Sequence, residues 1–318
     1  MFAPESGRTG DLLMAFLSIL FEGAPYIVVG TIVSGLIDAF LPAKLLEGVL
    51  PKNRILATIS AGFLGLVFPV VECASVPVVR RLVQKGLPIS CAVTYLLSAP
   101  IINPVVIWST WVAFLNRGVK GDNTHLIMTV GRVSLGYFIA VLVGLVLLRK
   151  KPADIVNPAI AEHITSGEEP KSRLPLEARL VHAMRTAMRD FLETAMYFTF
   201  GILITSFFNT QVDQTKIRML AGNDWTGTPA LMILAYVLAL CSTSDAFIAA
   251  SLQGFSHASK LAFLVFGPML DIKLTFMYAA VFRRKFLLVL SVSLFVLAGL
   301  LSGPWVAALQ RYYSHHSP

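Results

Sequence analysis

The chain is 318 residues long, 56% hydrophobic and only 14% charged, with a formal net charge of +8. With a mean hydropathy of +0.72, this composition excludes a water-soluble core and points to the lipid bilayer. Nor is the basic excess a nucleic-acid surface: Arg149, Lys150, Lys151, Lys171, Arg173, Arg179 and Arg185 cluster between two apolar halves, and Arg80, Arg81, Lys85 and Arg283, Arg284, Lys285 form two further triplets, as cytoplasmic anchors beside lipid do.

The N-terminus lacks the basic region and small-residue cleavage site of a secretory signal, so the first apolar run is expected to remain as an anchor. Apolar stretches of about 20 residues, enough to cross about 30 Å of hydrocarbon, run near 12–41, 88–115, 125–148, 190–210, 258–282 and 286–310. They predict six full spans. Two further segments are interrupted, 55–84 by Pro69, Cys73 and Pro77, and 228–252 by Cys241, Ser242, Thr243, Ser244 and Asp245. Each reads as a broken spanning helix or a re-entrant hairpin, with eight full spans as the alternative. Irregular backbone at membrane depth needs protein or water around it, so a break points to a cavity, although a packed proline kink is the plainer reading.

The two halves align. A shift of 168 residues places Cys73 on Cys241, Gly86 on Gly254, Tyr95 on Phe263, Pro100 on Pro268 and Asn103 on Asp271. A shift of 171 places Glu22 on Glu193, Tyr26 on Tyr197 and Gly30 on Gly201. Paired interruptions at corresponding positions are the sequence pattern of a repeat-built transporter. The distribution of Lys and Arg among the loops favours re-entrant breaks, which gives three spans per repeat and opposite orientations. The expected architecture is an all-α membrane protein of two inverted repeats: 1–148, a basic cytoplasmic connector at 149–185, and 186–318. The tips carrying Cys73 and Cys241 would meet near the midplane of the inner cell membrane.

Charges inside the apolar segments are Glu22, Glu72, Arg132, Asp190, Glu193, Asp245, Asp271 and Lys273. Each costs at least about 2.5 kcal/mol to bury in a bilayer and so is a candidate for a pathway or a pairing role. Asp190 is expected near the cytoplasmic surface, and Arg132 as a structural partner or a snorkelling residue. Asp271 and Lys273 diverge on a regular helix and pair only if Gly267 and Pro268 unwind it. The sharpest constellation sets Glu72, Cys73 and Ser75 against Cys241, Ser242, Thr243 and Asp245. Thiolates select Zn(II), Cu(I) or trivalent metalloids, which makes Cys73, Cys241 and Asp245 the candidate metal ligands. Buried cysteine is otherwise a small hydrophobe, the reading taken for Cys91. Pro100, Pro104 and Pro268 free carbonyls beside Asn103 and Asp271, a second candidate layer for substrate. Glu22 and Glu193 are candidate proton-coupling carboxylates, or equally inter-helix hydrogen-bond partners.

The six histidines fall in loops, the connector or the tail, and no zinc-protease, phosphate-loop or serine-elbow motif occurs. No cofactor and no enzymatic activity are expected; intramembrane proteolysis by Asp245 and Asp271 has nothing specific to support it.

On these residues the chain resembles the predicted-permease family described as domain of unknown function 318, which includes organoarsenical efflux permeases. Its pattern is roughly C-x-C-G-x-x-P, a basic stretch, Gly, then P-x-x-N-P, and Cys73, Pro77, Arg80, Arg81, Gly86, Pro100, Asn103 and Pro104 match it. Val71 stands in place of the first cysteine, and Glu72 and Ala74 replace Ser and Gly. The stretch CSTSDAFIAASL is similar to the branch described as one subunit of a two-component membrane permease. The resemblance implies a multi-pass permease for a small solute. Together with the thiols, it leads to the expectation of proton-coupled alternating access for a soft metal or metalloid. The alternatives are a permease for another small ion, or a membrane subunit that docks a second membrane protein or a second copy of itself.

Overall fold

Long runs of Leu, Val and Ile leave backbone amides in hydrocarbon one local way to be satisfied, and the chain folds almost wholly into α-helix. The computed structural model describes residues 8–41, 48, 51–67, 71–115, 123–150, 152–158, 175–210 and 224–316. In chain order these hold α1 (Arg8–Phe40), α2 (Arg54–Ala61), α3 (Leu64–Val67), α4 (Glu72–Gln84), α5 (Ile89–Ile102), α6 (Pro104–Leu115), α7 (Thr124–Val146), α8 (Pro152–Ile155), α9 (Leu176–Asn209), α10 (Asp224–Leu238), α11 (Asp245–Ser251), α12 (His257–Met269), α13 (Ile272–Val281) and α14 (Arg284–His316). Among the described residues the only β pairing is an isolated bridge between Val156 and Phe282.

Five helical stretches are long and apolar enough to cross a membrane, or six if the α5–α6 pair, bent by 40°, counts as one span. They fall on the six stretches expected from the sequence, and the protein is a multi-pass membrane protein. The interrupted segments are short helices, α2 to α4, and α10 with α11, but Cys73 and Pro77, expected to interrupt the first segment, lie inside α4. Pro69 and most of the connector, including Lys151, Lys171 and Arg173, lie outside the described residues.

Local chemistry explains where the helices stop. The α4 helix ends with Leu87 N–H donating to Leu82 O and Gly86 N–H to Val83 O, a closure that needs the left-handed φ of 96° that Gly86 supplies. Pro104 bars its predecessor from helical geometry, so Asn103 is extended and its side chain accepts from Val105 N–H at 3.0 Å, capping α6. Leu270 and Asp271 are extended as well, and the Asp271 carboxylate caps α13 by accepting from Leu274 N–H at 2.6 Å.

Lipid is as apolar as leucine, so close packing rather than hydrophobic burial holds such helices together. Every residue of α5 is buried, and α12 touches it at the centre of the bundle. Two of the three longest helices, α1 and α9, pack along each other and turn exposed apolar faces outward. Two glycines let them approach the interior: a methyl group at Gly30 would stand 2.6 Å from Ala74 Cα on α4, and one at Gly201 would stand 2.7 Å from Lys273 Cα on α13. The start of the connector is docked too. Asn157 donates its side-chain amide to Ala279 O and Ala280 O, and Arg283 N–H donates to Ile155 O. Residues 176–185, expected in the connector, form the first turns of α9.

Candidate functional site

The second break runs from Ala239 to Ser244 between α10 and α11. Ala239 takes φ 46°, a left-handed conformation that costs an L-residue on the order of 1 kcal/mol. The turn then closes with Ser244 N–H and Asp245 N–H both donating to Cys241 O. What holds this irregular backbone comes from elsewhere in the chain. Lys273, on α13, donates its ammonium to Ala239 O at 2.9 Å and Leu240 O at 3.4 Å. Glu72, at the first turn of α4, accepts from Ser242 N–H at 3.1 Å and from Ser242 Oγ–H at 2.8 Å. A carboxylate at the first break thus supplies the acceptor that the second break lacks.

These charges also face each other. Lys273 Nζ lies 3.7 Å from Glu72 Oε1 and 3.6 Å from Asp271 Oδ2, with Glu72 and Asp271 1% exposed and Lys273 3% exposed. Removing such ions from water costs several kcal/mol each, and only close hydrogen bonding offsets it. The offset is incomplete: Asp271 Oδ2 and Asp245 Oδ1 are buried and accept no hydrogen bond. Asp271 and Lys273 do pair, as the sequence allowed, because the chain unwinds just after Pro268, at Leu270 and Asp271, and places the lysine in the first turn of α13.

Arg132 of α7 reaches the far side of the same break. Its guanidinium donates to Asp245 Oδ2 at 2.8 Å, Ser242 O at 3.0 Å and Thr110 Oγ1 at 2.8 Å. At 1% exposure it does not snorkel; of the two roles expected for it, it takes that of a partner. Arg132 and Lys273 complete the site, yet the sequence reading put neither among the binding residues. The available signal was their charge at membrane depth, with Asp271 as the one partner the spacing offered, to Lys273.

The expected thiols are both present beside these charges. Cys73 and Cys241 are buried and free. Cys73 has Lys273, Glu72, Asp271 and Cys241 as its electrostatic neighbours, and Cys241 Sγ accepts from Thr243 Oγ–H at 3.6 Å. Ser75 turns its hydroxyl back to Glu72 O within its own helix at 2.7 Å, and Asn103 is occupied in capping α6. Cys91 is buried apart, beside Thr58 and Ser90. Among the described residues no group of three or more His, Cys, Asp and Glu side chains is placed to hold a metal ion. Cys73, Cys241 and Asp245 are accordingly not gathered as a ligand set, and Asp245 is engaged by Arg132.

The matched carboxylates of the two long helices have different partners. Glu22 Oε1 accepts from Ser244 Oγ–H at 2.8 Å, at the second break. Glu193 pairs with Arg80 at 2.6 Å. Asp190, expected near the cytoplasmic surface, is 2% exposed, pairs with Arg81 at 2.8 Å and accepts from Ser34 Oγ–H at 2.6 Å. With Asp38, which faces Arg81, Lys85 and His182, it ties α4 to both long helices.

Residues 9–303 match the family described as "Predicted permease". The chain is 36% identical over 288 residues to the UPF0718 protein YcgR of Bacillus subtilis (strain 168), covering 89% of this chain and 94% of that protein. It is 32% identical over 277 residues to a Streptococcus mutans serotype c protein named as a two-component membrane permease complex subunit, covering 87% of this chain and 88% of that one. No solved structure matches significantly.

Proposed function

The chain belongs to the predicted-permease family of membrane transporters, and on that premise we propose that it is a secondary transporter built from two inverted repeats in the inner cell membrane. The repeats are 1–148 and 186–318, joined by the basic connector at 149–185. The order of elements supports this: α1, α2 to α4, α5–α6 and α7 are answered by α9, α10–α11, α12–α13 and α14. In the register that aligns Cys73 with Cys241, Gly86 at φ 96° falls on Gly254 at φ 88°, and the break at Asn103 falls on the break at Asp271. Contacts across the halves are reciprocal too, since α4 packs on α13 and α11 on α6.

The cargo we assign is a soft metal or metalloid species, moved by alternating access and coupled to the proton gradient through Glu22 and Glu193. Cys73, Cys241 and Asp245 are its ligands, with Glu72, Ser75, Asn103, Ser242, Thr243 and Asp271 lining the site. Loading requires Asp245 to exchange Arg132 for the cargo, so the ligand set closes in another state of the cycle. The observation that carries the reading is the joining of the two breaks by Glu72 and Ser242 in a buried cluster of charge beside two free thiols. Proteoliposomes under a pH gradient, offered Zn(II), Cu(I) or a trivalent arsenical, test it. Flux of one of these should vanish in the Cys73→Ser/Cys241→Ser double variant while Cys91→Ser transports normally. Unchanged flux in the double variant removes the thiols from the mechanism.

The name of the Streptococcus relative favours a second reading, in which the chain works as one subunit beside another membrane protein. Purification from the native membrane under mild detergent tests it. A stoichiometric membrane companion, without which flux is lost, would establish that reading; full flux from the chain alone would end it.

A further inference from the structure

The ammonium of Lys273 sits among four oxygens from three separate segments. Ala239 O is at 2.9 Å, Leu240 O at 3.4 Å, Asp271 Oδ2 at 3.6 Å and Glu72 Oε1 at 3.7 Å. Two are carbonyls released by the break at Ala239, and two are carboxylates shut away from solvent. Unwound carbonyls combined with carboxylates form the hard oxygen donor set that membrane transporters use for small cations. The cage is also short of positive charge, since two carboxylates face one ammonium. Asp271 Oδ2, buried and accepting no hydrogen bond, keeps acceptor capacity in the direction of the lysine. Cys73 and Cys241 lie close by but add no positive charge.

We propose that this cage is a monovalent-cation site that the chain fills with its own tethered ammonium. The native protein therefore takes no free alkali ion here, and a chain stripped of the ammonium takes one. A lysine cannot dissociate as an ion can, so the second break stays linked to α13 through the transport cycle. This proposal does not depend on the identity of the cargo, because protein stability reads it directly.

The test is thermal unfolding of the purified protein in N-methylglucamine, lithium, sodium, potassium or methylammonium chloride at equal ionic strength. The native midpoint should be the same in all five. In N-methylglucamine the midpoint of Lys273→Ala should fall by on the order of 10 °C, because a buried charge pair has lost one partner. At least one of the small cations should restore it saturably. Arg132→Ala, which orphans a carboxylate without exposing a carbonyl cage, should show no such selectivity, and Lys273→Arg should remain independent of the cation. Lys273→Ala/Asp271→Asn carries less uncompensated charge, so it folds more readily and should keep a weaker version of the same dependence. Indifference to the cation in both Lys273→Ala and Lys273→Ala/Asp271→Asn overturns the proposal. So does their failure to fold in every salt, because a filled cage restores the fold.

Discussion

Glu72 and Ser242, 170 residues apart, are joined by two hydrogen bonds: the backbone N–H and the hydroxyl of the serine both donate to the one carboxylate. Each residue belongs to a different interruption, so the contact turns two local defects into one structure. A helix broken in hydrocarbon exposes amides that cost several kcal/mol apiece, and here the first break's side chain satisfies an amide of the second.

Glu72→Gln keeps the shape but removes the charge facing Lys273, and its amide cannot accept on both sides. Breaking a buried charge pair on one side costs about 3–5 kcal/mol. The expected result is a lower thermal midpoint and transport reduced at least tenfold, measured on the same preparation. A variant as stable as the native protein would show that the carboxylate is not needed to hold the second break.

Arg132 and Asp245 are tested by a double-mutant cycle. Arg132→Leu and Asp245→Leu each leave the other ion buried without its partner, whereas the double variant removes both charges. The double variant should be more stable than either single one, with a coupling on the order of 2 kcal/mol. Additive losses would mean that the 2.8 Å contact contributes nothing of its own.

Ala239 is the one non-glycine residue with a positive φ among those described. Ala239→Gly should be tolerated or raise stability by about 1 kcal/mol, since glycine adopts this conformation without strain. Ala239→Val should lower both stability and transport, because a β-branched side chain cannot take φ 46° and the carbonyl would turn away from Lys273. Equal behaviour of the two variants would sink this account of the break.

Gly201 admits the backbone of Lys273, whereas Gly303 has open space where a methyl group would go. Gly201→Ala should displace α13 and reduce transport severely while membrane insertion persists. Gly303→Ala should leave flux unchanged. Flux assays on both, normalised to inserted protein, check the contrast.

Composition and apolar run length alone established a multi-pass helical membrane protein, because a bilayer permits little else to a chain so rich in hydrocarbon side chains. The second interruption was equally visible, since Cys, Ser and Thr stand where spanning helices have leucine and the backbone breaks from Ala239 to Ser244; at the first, Cys73 and Pro77 were expected to interrupt the helix and instead lie inside α4. Local rules also reach the extended Asn103, since Pro104 restricts the residue before it, and the turn at Gly86, since glycine takes a positive φ without strain. What tertiary structure decided was partnership. Nothing in the spacing of Lys273 assigns it to the carbonyls of Ala239 and Leu240, or assigns Arg132 to Asp245, Asp190 to Arg81 and Glu193 to Arg80. The physical reason is that a buried charge is constrained only to find an opposite charge or a free dipole. Many arrangements of eight ionisable residues satisfy that demand in the abstract, and the packing of α4, α7, α9 and α13 around the second break selects one of them.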